Sequence, residues 1–169
     1  MDRDFNDLHN FDLDNLFFKA DQLIKDNLIG DAHNTLMQII QRDASYGRAY
    51  NHLGWLYETK YKDLKKAEEY YQKALEASPE YTPIYLNYSI CLSTMGKYAE
   101  LEAFLDKAIN VAGVNKSQLY NEYAIMYEMQ GNFEKAIEFY QKAVNHSLNN
   151  SDIGIYQESI DRCSRKRGR

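Results

Sequence analysis

The sequence predicts an all-α array of about four helical hairpins followed by one further helix, and three observations carry this. With 8 Gly and 2 Pro in 169 residues, 44% hydrophobic and 14% aromatic, the composition suits packed helices and argues against disorder or a β fold. Apolar and small residues recur at helical spacing in paired runs, as in Tyr120/Tyr123/Ala124/Tyr127 and Phe133/Ala136/Tyr140/Ala143, broken once by Gly131-Asn132. A small residue returns at Ala20, Gly54, Ser89 and Ala124, at intervals of 34, 35 and 35 positions, and a period of this length marks a repeat array. Neither helix of such a hairpin covers its apolar stripe with its partner alone, so each hairpin needs neighbours of its own kind.

Residues 1–12 alternate Asp and Asn with Phe5, Leu8 and Phe11, compatible with a turn or two of helix laid on the first repeat and equally with a frayed acidic arm. The first hairpin, 13–46, carries Leu16, Ala20 and Leu23, then Ala32, Leu36 and Ile39 across a break at Asn27 to Gly30. The second, 47–81, has Tyr50, Leu53, Gly54 and Tyr57, then Ala67, Tyr71 and Ala74, stopped by Pro79. Small Gly54 and Ala67 let its two helices approach closely. The third, 82–116, follows as Tyr85, Tyr88, Ser89 and Leu92, then Leu101, Leu105 and Ala108, closed by Gly113; the fourth is 117–150. Ser151 or Asp152 is placed to cap a last helix, 151–163, whose apolar side is Ile153, Tyr156, Ile160 and Cys163. A lone helix at that point reads as a cap on the last hairpin, with 164–169 as a basic tail.

Tyr50-x2-Leu53-Gly54-x2-Tyr57 with Ala67-x3-Tyr71-x2-Ala74-x4-Pro79, and Tyr120-x2-Tyr123-Ala124-x2-Tyr127 with Ala136-x3-Tyr140-x2-Ala143, resemble the tetratricopeptide repeat, W-x2-L-G-x2-Y then A-x3-F-x2-A and P. The second hairpin departs by one extra residue in Lys60-Tyr61-Lys62-Asp63, and the third by Leu101 for Ala and Gly113 for Pro. The resemblance covers roughly 13–150. It implies a right-handed α-solenoid of about four TPR hairpins plus a C-terminal capping helix.

The formal charge is −5, yet residues 1–160 hold 15 basic and 24 acidic side chains, while Arg162, Arg165, Lys166, Arg167 and Arg169 crowd the end. An acidic body repels a phosphate backbone, so nucleic acid is not expected as the main partner. No apolar run reaches a membrane span and the first residues are acidic, so no membrane is expected and the default location is cytoplasmic. Cys91 and Cys163 have no ligand or disulfide spacing. His9, His33, His52 and His146 form no metal pattern, and no phosphate-binding glycine motif occurs. No enzyme activity and no cofactor are expected.

What remains is a surface. The resemblance implies that the first helix of each hairpin lines a concave groove for a partner segment. The residues after each small slot, Asp21, Trp55, Ile90 and Ile125, then face it, with Phe17, Asn51, Leu86 and Asn121 one turn before and Ile24, Glu58, Ser93 and Glu128 one turn after. Asp14, Asp21, Glu58, Glu122 and Glu128 outnumber Lys25 and Arg48 along it, making an apolar stripe edged by acid. One explanation is extra core; the other is a docking site for an apolar or basic amphipathic segment of a protein partner, with Trp55 as anchor.

Family members that hold the acidic tails of heat-shock chaperones use Lys, Asn and Arg in the groove. Phe17, Asp21, His52, Pro83 and Asn87 stand there in one frame, and Asn51, Trp55, Asn87, Gln118 and Glu122 in the other, so the cations for an acidic ligand are missing. The expected function is a non-enzymatic adaptor or scaffold. The alternatives are a small secretion-type or assembly chaperone, a regulatory subunit of an enzyme, and a self-assembling structural protein in which the basic tail meets the acidic groove of another copy.

Overall fold

Every break that Gly, Asn or Pro announces becomes a turn between two helices. The computed structural model describes residues 2–168, with side chains from residue 12 onward. The packing expected of Phe5, Leu8 and Phe11, the role of His9 and the position of Arg169 lie outside the described residues. In chain order come α1 (Asp2–Lys25), α2 (Ile29–Arg42), α3 (Gly47–Leu56), a widened π-helical turn (Tyr57–Tyr61), α4 (Leu64–Ala77), α5 (Pro83–Thr94), α6 (Tyr98–Ala108), α7 (Lys116–Met129), α8 (Phe133–His146) and α9 (Asn150–Arg167). No strand occurs among the described residues. The chain divides into two units, Met1–Ile84 and Tyr85–Arg169.

Four hairpin turns share one device. Asn27, Lys62, Gly96 and Gly131 each take a left-handed conformation, with φ of 59°, 58°, 69° and 76°. The next amide then reaches back to a carbonyl of the preceding helix: Leu28 to Leu23 at 2.8 Å, Lys97 to Leu92 at 3.0 Å, Asn132 to Tyr127 at 2.8 Å and Asp63 to Tyr57 at 2.9 Å. The first three reach back five residues and the last six. The extra residue of the second hairpin is absorbed by opening the end of α3 into a π turn, where Thr59 Oγ1 donates to the Trp55 carbonyl at 2.7 Å. Asp63 then caps α4 by accepting from the Lys66 amide at 3.1 Å.

In the first unit α1 pairs with α2, α3 with α4, and α2 packs on α3. Leu13, Phe17, Ala20, Leu36, Ile39, Ala49, Leu53 and Leu56 form its core. Gly54 touches the fully buried Tyr71 ring so closely that a Cβ there would lie 2.7 Å from two ring carbons. In the second, third and fourth hairpins, rings of the first or A helix meet one ring of the second or B helix. Tyr57 stacks on Tyr70 at 5.2 Å and 14°. In the second unit Tyr85 and Tyr88 flank Phe104, at 5.9 and 4.9 Å, and Tyr123 and Tyr127 flank Phe139, at 4.6 and 5.4 Å. These contacts bury large areas in offset geometries that aromatic quadrupoles favour.

α9 follows α8 and packs on it. Its cap is Asn149, whose side chain accepts from the Ser151 and Asp152 amides at 2.8 and 3.4 Å, rather than either of those residues. A further small residue, the buried Ser159, comes 35 positions after Ala124. At the positions where Tyr120, Tyr123 and Tyr127 meet Phe139, α9 carries Ile155, Glu158 and Arg162, so this face is polar apart from Ile155, which is 56% exposed. The helix also runs on through Arg167, beyond the boundary expected at Cys163. Basic residues suit a helix C-terminus, and two of them have partners described below.

Two substitutions test the hairpin geometry. Gly54→Ala forces a buried ring to move and is expected to lower stability by about 1–3 kcal/mol, seen as a drop in the urea midpoint at unchanged m. Lys62→Gly removes a left-handed non-glycine residue and should raise stability by about 0.5–1 kcal/mol in the same titration.

Candidate functional site

The positions expected to face a ligand fall into three groups. Phe17, Asn51 and Glu122 are buried: Phe17 is 2% exposed, under the Arg48 guanidinium at 4.3 Å and edge-on to the His52 ring at 4.6 Å. Phe17 belongs to the first core, and Asn51 and Glu122 are buried polar residues of α3 and α7. Trp55, Leu86, Asn87, Asn121 and Ile125 are half-buried. Trp55 packs against the first core and has the Lys60 ammonium 5.8 Å from its indole, so it serves the fold as well. Ile90 stands apart, an aliphatic side chain in mid-helix that is 38% exposed.

The third group is the acids, and here the structure changes the expectation of an open acidic edge. Asp14 takes a hydrogen bond from Tyr46 Oη at 2.5 Å and pairs with Arg48 at 3.2 Å. Asp21 lies 2.9 Å from His52 Nε2. The other nitrogen of that ring, Nδ1, is 3.0 Å from the Arg48 carbonyl. Only an imidazolium donates to both, yet burial outweighs Asp21 and pushes the His52 pKa below its ordinary value.

Glu128 is more enclosed than Asp14 or Asp21, with a side chain 10% exposed. Arg162 grips it with Nε and Nη2, at 2.8 and 2.7 Å, Lys166 Nζ adds a bond at 2.9 Å, and Tyr140 Oη another at 2.9 Å. The Arg162 hydrogen bonds, aided by Lys166 and Tyr140 against the cost of burial, hold this carboxyl well below the usual carboxylate range. Burial beside it pushes the Cys163 thiol up to about 11, so this cysteine is a poor nucleophile.

Glu58 is the matching residue of the second hairpin. Tyr71 Oη donates to it at 2.8 Å, as Tyr140 does to Glu128. Burial raises the Glu58 pKa, and Tyr71 and Lys62 offset this only in part.

Arg48 and His52 were expected along this face but not as partners of Asp14 and Asp21, and Arg162 and Lys166 were not expected at it. One signal pointed to them: Asp14 to Arg48 and Glu128 to Arg162 are both 34 positions apart, one repeat. In these two pairs, each within one unit, the side chains face each other across successive A helices.

No group of His, Cys, Asp and Glu among the described residues is arranged to hold a metal ion. No helix is long and apolar enough to cross a membrane. A polar depression of about 740 Å³ lies between the start of α7 and the α8–α9 turn, lined by Lys116, Ser117, His146 and Asn149 among others, away from the positions above. Its Ser117 hydroxyl is already committed to the Ala143 carbonyl at 2.9 Å.

Sequence profiles of the tetratricopeptide repeat match residues 47–81 and 81–148, together more than half of the chain. The chain belongs to the tetratricopeptide repeat family. Tetratricopeptide repeat structures share its fold at low identity. PilF of Pseudomonas aeruginosa is 18% identical, with 94% of this chain and 71% of that one aligned at a TM-score of 0.81. MamA is 19% identical over 79% and 77% at 0.69. YrrB, described as a TPR protein with an unusual peptide-binding site, is 17% identical over 89% and 80% at 0.66. No curated protein sequence matches the chain. Tetratricopeptide repeats are modules of protein–protein interaction and generally not enzymes, and this repeat protein is an all-α helical solenoid of that kind.

The Glu128 chelate gives a pH-dependent expectation. A carboxyl whose folded pKa lies below its ordinary value, about 4.3, adds stability that is complete above that pH and fades as pH falls through it. Glu128→Gln should cost about 1–2 kcal/mol at pH 7. In thermal melts the gap from wild type should close as the pH drops below about 4.

Proposed function

We propose that this repeat protein is a non-enzymatic adaptor that binds an apolar segment of a protein partner on the inner positions of its A helices. Ile90 carries the proposal. A helix in a packed array hides its aliphatic residues where it can, and an exposed one in mid-helix is retained at a cost in solubility unless something covers it. Half-buried Ile125 occupies the same position one repeat later, in the same unit, which supports a continuous apolar strip rather than a scattered residue.

The ion pairing of Asp14 with Arg48 and of Glu128 with Arg162 and Lys166 bears on the character of the partner. An acid already neutralised within the fold adds little attraction for a basic ligand. Apolar contact therefore supplies the affinity and charge the selectivity.

The test is affinity capture from a lysate of the source cells on immobilised wild type and on Ile90→Ser/Ile125→Ser, with circular dichroism of both. A partner retained by wild type and lost by the variant, at closely similar melting temperatures, supports the proposal. Equal retention, or loss of binding only together with loss of helicity, overturns it.

A further inference from the structure

Of the five acids on the A helices that face inward by sequence, four are accounted for inside the fold. Asp14 is ion-paired with Arg48 and Glu128 with Arg162 and Lys166, Asp21 lies against the His52 ring at 2.9 Å, and Glu122 is buried in the packed face of α7. Glu58 differs. It accepts one hydrogen bond, from Tyr71, and the cation that acts on it, Lys62, does so through space without an ion pair among the described residues.

The fourth hairpin shows what such a site takes. There the same arrangement, a Glu at the end of the A helix with a Tyr of the B helix donating to it, holds a guanidinium through two nitrogens and an ammonium through one. Tyr71 and Tyr140 orient the two carboxylates alike, at 2.8 and 2.9 Å. One carboxylate is therefore saturated and its counterpart is not. A half-buried carboxylate without a counter-ion is held at a cost, which a positive ligand group removes. Trp55, half-buried, precedes Glu58 by three residues and so shares its helical face. An indole on the same helical face as a carboxylate with no ion pair suits the aliphatic stem and charged head of Lys or Arg, or such a residue with an apolar neighbour.

We infer that Glu58 selects the partner. It takes a single Lys or Arg of a protein segment whose apolar side chain, one helical turn away, lies on Trp55. This deepens the proposed function and rests on it. It also narrows the charge preference read from the sequence, from a generally basic segment to one cation at one place.

A phage-displayed random dodecapeptide library panned against the immobilised full chain tests both levels. Wild type is expected to enrich peptides with one Lys or Arg three or four positions from a large apolar residue. Glu58→Gln should keep the apolar preference and lose the basic one, while Glu69→Gln, which removes an exposed charge on α4, should change neither. For one enriched peptide, replacing its cation by Met should weaken binding to wild type about tenfold and to Glu58→Gln hardly at all, a cycle that removes any general effect of the substitution on the fold. Apolar enrichment without basic bias, or a bias that Glu58→Gln retains, overturns the role of Glu58 and leaves the proposed function standing. No enrichment on wild type overturns both.

Discussion

The contact on which the rest depends is the close approach of two helices at one small residue per hairpin. Gly54 lies against the ring of Tyr71, with no room for a Cβ unless the ring shifts. That proximity sets everything at larger radius. It brings the B-helix tyrosine within hydrogen-bond reach of a glutamate at the end of the A helix, as in Tyr71 with Glu58 and Tyr140 with Glu128. It also sets the separation at which Tyr57 stacks on Tyr70, and Tyr123 and Tyr127 on Phe139. The aromatic rows are thus a consequence of the small slot, since larger residues there would push the helices beyond stacking distance.

The same regularity governs charge. Within each unit, side chains 34 positions apart on successive A helices meet, as Asp14 does Arg48 and Glu128 does Arg162. There the acid is neutralised, whereas Glu58 has the Tyr71 hydroxyl and, at longer range, Lys62. The basic end of the chain acquires a structural meaning in this way. Arg162 and Lys166 are spaced one turn apart on α9 and close together on Glu128, so part of what looks like a loose tail fastens a helix.

Much of the fold was legible because it follows from local rules. Helical periodicity, Gly and Asn at the turns and a small residue every 34 or 35 positions specify hairpins without knowledge of contacts. The extra residue in Lys60 to Asp63 was legible as an insertion, but not its solution, a π turn, which depends on keeping Asp63 in register to close the turn and cap α4. Asn149 was passed over as the cap of α9 for Ser151 and Asp152, since the choice among adjacent polar residues rests on where the helix axis is fixed by packing. Among the candidate positions the linear pattern did not distinguish burial and pairing: Phe17 is core, Trp55 is shared with the core, and Asp14 and Glu128 are ion-paired.

By itself, then, the sequence determined the class of fold, the repeat length and which faces turn inward, because each is encoded in spacings within one or two helices. The tertiary structure alone decided which inward-facing residues remain open. Whether a carboxylate is free or chelated depends on a side chain some 34 positions away and on the angle at which its helix arrives. Ile90 and Glu58 look no different from Ile125 and Glu128 in a linear pattern. They differ because burial and pairing are properties of the packed array, where an exposure of 38% or a missing guanidinium becomes definite only once the neighbouring helices are in place.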